Sequence, residues 1–353
     1  MHILMKATIE TADEMFRPLW HLVGNTPMLA LQYIYKGIPG EIYVKCEHYN
    51  LTGSVKDRMA LYILQQAYGQ GKIQPGDAII EVTSGNTGIS FASIGRVLGH
   101  PVKIIMPDWL SQERMHILRS LGADLVLMSK QQGGFVGSLE FSERLAYAGG
   151  SFLPRQFANE YNAEAHERTT AVEIWDQLAS VDKMPDAFVA GVGTGGTVMG
   201  VSAFMRRMNP LVSIHPLEPR ESPTLSAGKK VGSHRIQGIS DEFIPPIVQL
   251  NELDKVVQAS DGDAIRMAQK LSQQVGLAVG ISSGANVIGA IQLASELGPG
   301  STVVTLLPDS NKKYLSTDLV KEEPAREGFY SSDTEFTGYR PIARLKEPVF
   351  ARL

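Results

Sequence analysis

Short β-rich runs alternate with stretches of helical length along most of the chain, and this alternation restricts the fold more than any other feature. The runs that read as strands are "EIYVKCE" from Glu41, "AIIEVT" from Ala78, "PVKIIMP" from Pro101, "ADLVLM" from Ala123, "AFVAGVG" from Ala187, "LVSIHPLE" from Leu211 and "TVVTLLP" from Thr302. Between them, "TGISFASIGRVLG" sets Phe91, Ile94 and Leu98 on one helical face, and the segment after Ser260 does the same with Ile265, Ala268, Leu271 and Val275. Strands alternating with helices build right-handed βαβ units and a mostly parallel sheet. The 353 residues are enough for about two such domains. Such sheets bind ligands at the carboxyl ends of their strands, so the strand-to-helix loops are where chemistry is expected. After Thr317 the pattern stops, and the charged, proline-bearing end reads as a tail lying on the surface or on a partner subunit.

Composition closes off several function classes. A net charge of -4 gives no reason to expect nucleic acid or an anionic membrane as partner. No apolar run reaches the length of a membrane span, and the first residues, with acids and no long apolar core, do not read as a secretory signal. Cys46 is the only cysteine, which excludes an internal disulfide and fits a reducing cytoplasm. Its place in a strand marks it as a buried, inert thiol. The eight histidines are scattered without metal-ligand spacing, so no dedicated metal site is expected.

Three loops could each hold an anion. "GVGTGGTVMG", from Gly191, follows a strand and opens a helix; its glycines let backbone amides converge beside the positive end of the helix, which makes a phosphate cradle. The same loop satisfies GxGxxG through Gly191, Gly193 and Gly196, with Glu218 at the end of the next strand, as a nicotinamide-dinucleotide fold would have it. Against that reading, Thr194 and Thr197 add hydroxyls suited to a terminal phosphate with several free oxygens. "EVTSGNTGIS" offers Thr83, Ser84, Asn86 and Thr87 at a helix start, more hydrogen-bonding side chains than a cap needs and a seat for a carboxylate. In "VGISSGANVIGA", Ser282 and Ser283 precede a helix, where a capping serine is an adequate explanation.

The fourth feature is a lysine in an unfavourable place. In "NLTGSVKDRMALYIL", from Asn50, Ser54 reads as an N-cap with Asp57 completing a capping box, which puts Lys56 in the first turn. The helix dipole disfavours a cation there by ~0.3–1 kcal/mol. Burial would lower the pKa further below ~10.4. A less basic amine is a better imine former and a better general base once freed. A phosphate-bearing aldehyde that forms an imine with lysine would use all four features, and pyridoxal phosphate is that molecule.

"VGNTPML", "NLTGSVKDR", "TSGNTG", "GVGTGGT", "HRIQGI", "GISSGA" and "YLST" together resemble the cysteine synthase (O-acetylserine sulfhydrylase) and cystathionine β-synthase family of fold-type II pyridoxal phosphate enzymes. The resemblance runs from about Val23 to Leu319, in order and at family spacing. It implies an α/β fold of two domains with mostly parallel twisted sheets flanked by helices, similar to tryptophan synthase β. Residues 1–48 and 159–320 would form a large cofactor-anchoring domain, 49–158 a smaller mobile domain that takes the substrate carboxylate, and 321–353 the tail. It also implies that Lys56 is the imine lysine and that Asn86 contacts the ring hydroxyl of the cofactor. Gly193, Thr194, Gly195, Gly196 and Thr197 would hold the phosphate, and Ser282 would face the pyridine nitrogen. Thr83, Ser84, Thr87 and Gln156 would bind the substrate carboxylate, with Gly238 lining the pocket. A hydroxyl cannot keep the pyridine nitrogen protonated as a carboxylate would, so the ring is a weaker electron sink, suited to elimination rather than transamination. The expected activity is β-replacement on an activated L-serine through a bound aminoacrylate: O-acetyl-L-serine and sulfide give L-cysteine and acetate. A homodimer is the default assembly.

The chain also departs from the family pattern. Leu51 stands where proline is usual, Asp241 and Glu242 replace small uncharged residues in "GISDEFIPP", and Asp309 looks closer to cystathionine β-synthases. Acids at a pocket mouth would repel hydrosulfide and phosphate-bearing substrates but tolerate an amino-group nucleophile. The alternative within the family is the same half-reaction with homocysteine or another nucleophile, homocysteine giving cystathionine. No arginine is identified beside these loops for a phosphorylated substrate. A dehydratase is disfavoured by "TSGNTG" with Gln156. A nicotinamide-dependent oxidoreductase using Gly191 to Gly196, and a non-catalytic scaffold that keeps the cofactor site, are the remaining alternatives.

Overall fold

The apolar runs pair into two separate sheets in a computed structural model that describes residues 12–108, 111–147, 149–240 and 243–353. Asp241 and Glu242 lie outside the described residues. The strands are β1 (Met28–Tyr35), β2 (Ile38–Cys46), β3 (Ala78–Val82), β4 (Val102–Pro107), β5 (Asp124–Met128), β6 (Ser151–Phe152), β7 (Ala187–Gly191), β8 (Ser213–Pro219), β9 (Val257–Ala259), β10 (Val303–Leu307) and β11 (Thr334–Ile342). One sheet has the order β11-β1-β2-β10-β7-β8-β9 and the other β5-β4-β3-β6. Pairing is parallel from β2 through β9 and throughout the small sheet; only β1 pairs antiparallel, with β2 and β11.

Helices cover both faces, and the buried strands are apolar on both sides for that reason. In the small sheet Ile79, Val102 and Ile104 pack against Phe91 and Ile94 on one face. Ile80, Val82 and Ile105 meet Phe135 and Phe157 on the other. The large sheet buries Val44, Val189 and Leu217 under Ile265, Leu271 and Ile288, while Ala30, Tyr43 and Phe188 face Ile174 and Val201. Each such side chain contributes about 1.5–3 kcal/mol of burial.

The end of the chain is not a surface tail. β11 pairs with β1 from Thr334 to Ile342 and completes the edge of the large sheet, and Phe329, Phe336, Ile342, Val349 and Phe350 are buried. The Asp263 carboxylate accepts the Tyr330 and Ser331 N–H groups at 2.8 Å and holds the turn into β11. Inward Thr334 and Phe336 keep a period of two, but a register shift opposite Gln32 and Tyr33 interrupts it, and Pro341 is tolerated because the strand is at the edge. Charge and proline masked a strand.

Four charges without solvent exposure sit between the sheets. Arg58 bonds Glu47 through Nε and Nη2 (2.6 and 2.8 Å) and Glu173 through Nη1 and Nη2 (2.8 and 2.7 Å). Lys45 Nζ reaches Glu173 Oε2 at 2.8 Å, the Thr26 carbonyl at 2.6 Å and Gln177 Oε1 at 2.7 Å. Burial pushes the Glu173 carboxyl up, but Arg58 and Lys45 outweigh it and hold it down to about 2. Two cations and two carboxylates balance, which is the condition for burying them at all. Substituting Arg58→Met removes the cation bound to Glu47 and leaves Glu173 with Lys45 alone, and urea unfolding should show a loss of about 3–5 kcal/mol. A Glu173 pKa held below its ordinary 4.5 stabilises the fold above that pH; this contribution should disappear as pH falls toward about 2, seen as a declining thermal midpoint that Glu173→Gln lacks.

Candidate active site

Lys56 opens the helix Lys56–Gly69 and is half-buried. Its position is set by the end of β10. Val55 N donates to the Pro308 carbonyl at 2.8 Å, Ser310 N to that of Gly53 at 3.3 Å, and Ser54 and Asp309 form an antiparallel bridge. The expected capping box is absent. Ser54 Oγ is buried without a partner, and the Asp57 carboxylate instead accepts Thr52 N–H at 2.7 Å and Thr52 O–H at 2.6 Å. The bridge to β10, rather than a side-chain cap, fixes where the helix starts.

The glycine loop follows β7 and opens the helix Gly196–Met208. Two glycines are required by contact. A Cβ on Gly193 would lie 2.4 Å from the Gly238 carbonyl oxygen, and Gly195 has φ +85° with its Cβ position 2.2 Å from Val248 Cγ2. The turn is thus closed to side chains at positions 193 and 195, which leaves its backbone amides accessible there. Asn162 Nδ2 donates to Thr194 Oγ1 at 2.9 Å. His166 Nε2 lies 3.3 Å from Thr197 Oγ1, and burial, then the charges of Arg58 and Lys56, push this imidazole down to about 3. The cradle thus rests on a neutral ring. Asn286 locks the loop from behind, accepting Gly191 N–H at 2.8 Å and donating to the Leu306 carbonyl at 2.8 Å.

Beyond β3, Thr83 Oγ1 accepts Gly85 N–H at 2.9 Å, and Thr87 O–H donates to Gln156 Oε1 at 2.6 Å. Gln156 Nε2 in turn holds the Val82 carbonyl at 2.7 Å. Ser282 lies in the first turn of the helix Ile281–Leu297. One narrow cavity is lined by Lys56, Thr83, Ser84, Asn86, Thr87, Gln156, Gly193, Thr194, Thr197, Gly238 and Ser282; Gly195 and Gly196 complete the loop behind it. Residues from six stretches far apart in sequence meet there. The cavity shares Ser84, Arg114, Gln237, Gly238 and Ile239 with a wider vestibule of about 540 Å³.

Sequence reasoning missed Arg114. It is buried on the helix Gln112–Ser120, hydrogen-bonds Gln237 through Nη1, and lies 4.9 Å from the centre of the Tyr314 ring. Nothing local marks it, because its partners come from loops more than a hundred residues away. Phe157, Asn162 and Asn286 were also missed; they meet Phe243, Thr194 and Gly191, which belong to other loops. Glu218 answers the dinucleotide reading: its fully buried carboxylate accepts Leu225 N–H, Ser226 O–H and Gln258 N–H at 2.7, 2.6 and 2.9 Å, which leaves it no freedom to take a ribose. Cys46 is buried as expected, its thiol pushed up to about 12 by burial.

Residues 19–309 match the pyridoxal-phosphate dependent enzyme family. The chain belongs to this family. Pyridoxal phosphate is its cofactor, as the lysine and the anion loops imply. A "Cysteine synthase" of Staphylococcus aureus is 41% identical over 298 residues, which are 84% of this chain and 95% of the relative. The crystal structure of a hydrogen sulfide-producing enzyme from Fusobacterium nucleatum is 52% identical, covers 95% of this chain and 100% of its own, and superposes with a TM-score of 0.92. A cysteine synthase structure from Entamoeba histolytica is 35% identical over 94% of this chain and 96% of its own, with a TM-score of 0.79. The residues present fit the cofactor: Asn86 lines the cavity and its carbonyl oxygen is buried without a hydrogen-bond partner, as a group awaiting a ring hydroxyl would be. Gly195→Ala should weaken retention of pyridoxal phosphate at least tenfold in equilibrium dialysis, because αL geometry alone costs a non-glycine about 1–2 kcal/mol before the clash.

Proposed function

We propose that the protein catalyses β-replacement on an L-amino acid bearing a leaving group at Cβ, with Lys56 as the residue that binds pyridoxal phosphate and moves the Cα proton. Pyridoxal phosphate supplies an aldehyde for the amines and a ring that takes up the electrons of the broken Cα–H bond. The observation that carries the reading is the convergence of Lys56, the glycine loop and the Thr83–Thr87 loop on one cavity.

The chain's own groups divide the work. The amides from Gly193 to Thr197, with the Thr194 and Thr197 hydroxyls, bind the phosphate at a helix start. Asn86 meets the ring hydroxyl, and Ser282 meets the pyridine nitrogen without charging it. Thr83, Ser84, Thr87 and Gln156 take the substrate carboxylate. The Thr87–Gln156 bond then exchanges for bonds to that carboxylate, drawing the small sheet toward Gly238 and excluding water. With the carboxylate and phosphate fixed, the Cα–H bond is presented to Lys56.

O-Acetyl-L-serine with sulfide as nucleophile is our first reading of the substrates, supported by the cysteine synthase relatives. The second is release of sulfide from L-cysteine, which uses the same steps with sulfide as the leaving group; the hydrogen sulfide-producing relative favours it. Homocysteine as nucleophile is the third. We also propose that residues 49–158 move as a unit, and that the protein acts as a cytoplasmic homodimer, to be checked by light scattering.

Borohydride reduction of the holoenzyme should fix the cofactor to Lys56, and Lys56→Ala should abolish both the fixation and turnover. O-Acetyl-L-serine should change the cofactor spectrum, and sulfide should restore it. Sulfide evolved from L-cysteine at a higher kcat/KM than cysteine formed from O-acetyl-L-serine would install the second reading.

A further inference from the structure

Asp309 is the departure from the family pattern that the activity leaves unexplained. It follows Pro308, which lines the cavity, and is 1% exposed. Its Oδ2 accepts Asn86 Nδ2–H at 2.7 Å and the Tyr314 O–H at 2.5 Å, while Oδ1 is buried without a partner. Both donors converge on one oxygen of this side chain, and an ionised carboxylate is acceptor-only. Burial, then the neighbouring Asp309, push the Tyr314 hydroxyl upward, so Tyr314 remains a neutral donor.

We propose that Asp309 is a positioning residue that fixes the Asn86 amide and sets a buried negative charge one amide away from the ring oxygen of the cofactor. The proposal rests on the assignment of Asn86 to that oxygen. Its consequence is electrostatic: a second negative charge nearby disfavours the ring oxyanion, so the oxygen keeps its proton more often than it would beside a neutral residue. The charged and titratable groups around this carboxylate come from several elements. His48 faces it from the turn after β2, Lys313 and Tyr314 from the turn after β10, and Arg114 lies over the Tyr314 ring. Asp57 faces Lys313, and Lys56 lies in the cavity wall. Burial outweighs the attraction of Asp309 and pulls both His48 and Lys313 down, which weakens their hold on the positive charge that would neutralise it.

The test reads the absorbance of the purified holoenzyme, in which the protonated ring oxygen gives a band at shorter wavelength than the yellow oxyanion form. Asp309→Asn keeps an acceptor for Asn86 and removes the charge; the ratio of the protonated to the ionised band should fall about tenfold, one pKa unit. Asp309→Ser should move the ratio the same way. Tyr314→Phe removes the donor that offsets the carboxylate and should raise it. A purely structural role would not give shifts of opposite sign. Parent ratios in all three variants, or shifts in one common direction, overturn the proposal. Borohydride reduction and peptide mapping of the same samples separate the two levels of inference. Cofactor fixed at Lys56 with unchanged ratios refutes the role of Asp309 alone; cofactor fixed at another lysine, or nowhere, refutes the site assignment beneath it.

Discussion

Lys45, Glu47, Arg58 and Glu173 form a balanced buried network that ties the first turn of the Lys56 helix to the end of β2 and to the helix Ala171–Ala179. Arg58 is two residues from Lys56 in the first turn of the same helix. Buried charges tolerate little displacement, since an ion that leaves its partner is left in a medium that solvates it poorly. A network of this kind specifies one geometry more strongly than an apolar contact of the same size, which can repack. The Asn50 side chain extends it into the loop before Lys56, donating to the Glu47 carboxylate at 2.8 Å.

The network also explains how one cavity can be assembled from two sheets. The glycine loop and Ser282 belong to the large sheet, and Thr83 to Thr87 to the small one; Lys56 lies on the stretch that leads from one to the other. Contacts between the two sides at the mouth include Asn86 to Asp309, Ser111 to the Lys313 carbonyl, Glu113 to Ser316, Arg114 to Gln237 and the Phe157 ring to the Phe243 ring. The exposed Ser316–Glu113 bond exchanges readily with water at a net cost of about 0.5–1.5 kcal/mol, whereas the bond of Asn86 to the buried Asp309 carboxylate and the buried charges do not.

Legibility followed the range of the interactions. Long parallel strands were readable because they are apolar on both faces; β6 and β9, two and three residues long, carry no pattern that could be read. β11 was lost because its alternation is broken and its outward residues are charged. The loop residues of the site were readable because glycines and hydroxyls cluster at strand ends. Ser54 and Asp57 were misread, since a capping box satisfies the same local pattern as the turn actually made, and the choice lay with Pro308 and Asp309, some 250 residues away.

The sequence by itself determined the parallel βαβ layout, the three glycine- and hydroxyl-rich loops at strand ends and the lysine in a first helical turn, because each depends on side chains and backbone within one turn or one strand. Only the tertiary structure decided that Glu218 is consumed by internal bonds, that Arg114 reaches the cavity wall, that the end of the chain is a sheet edge and that Asp309 grips Asn86. Those outcomes depend on which distant groups are brought within about 3 Å, a distance at which hydrogen bonding selects one partner among many.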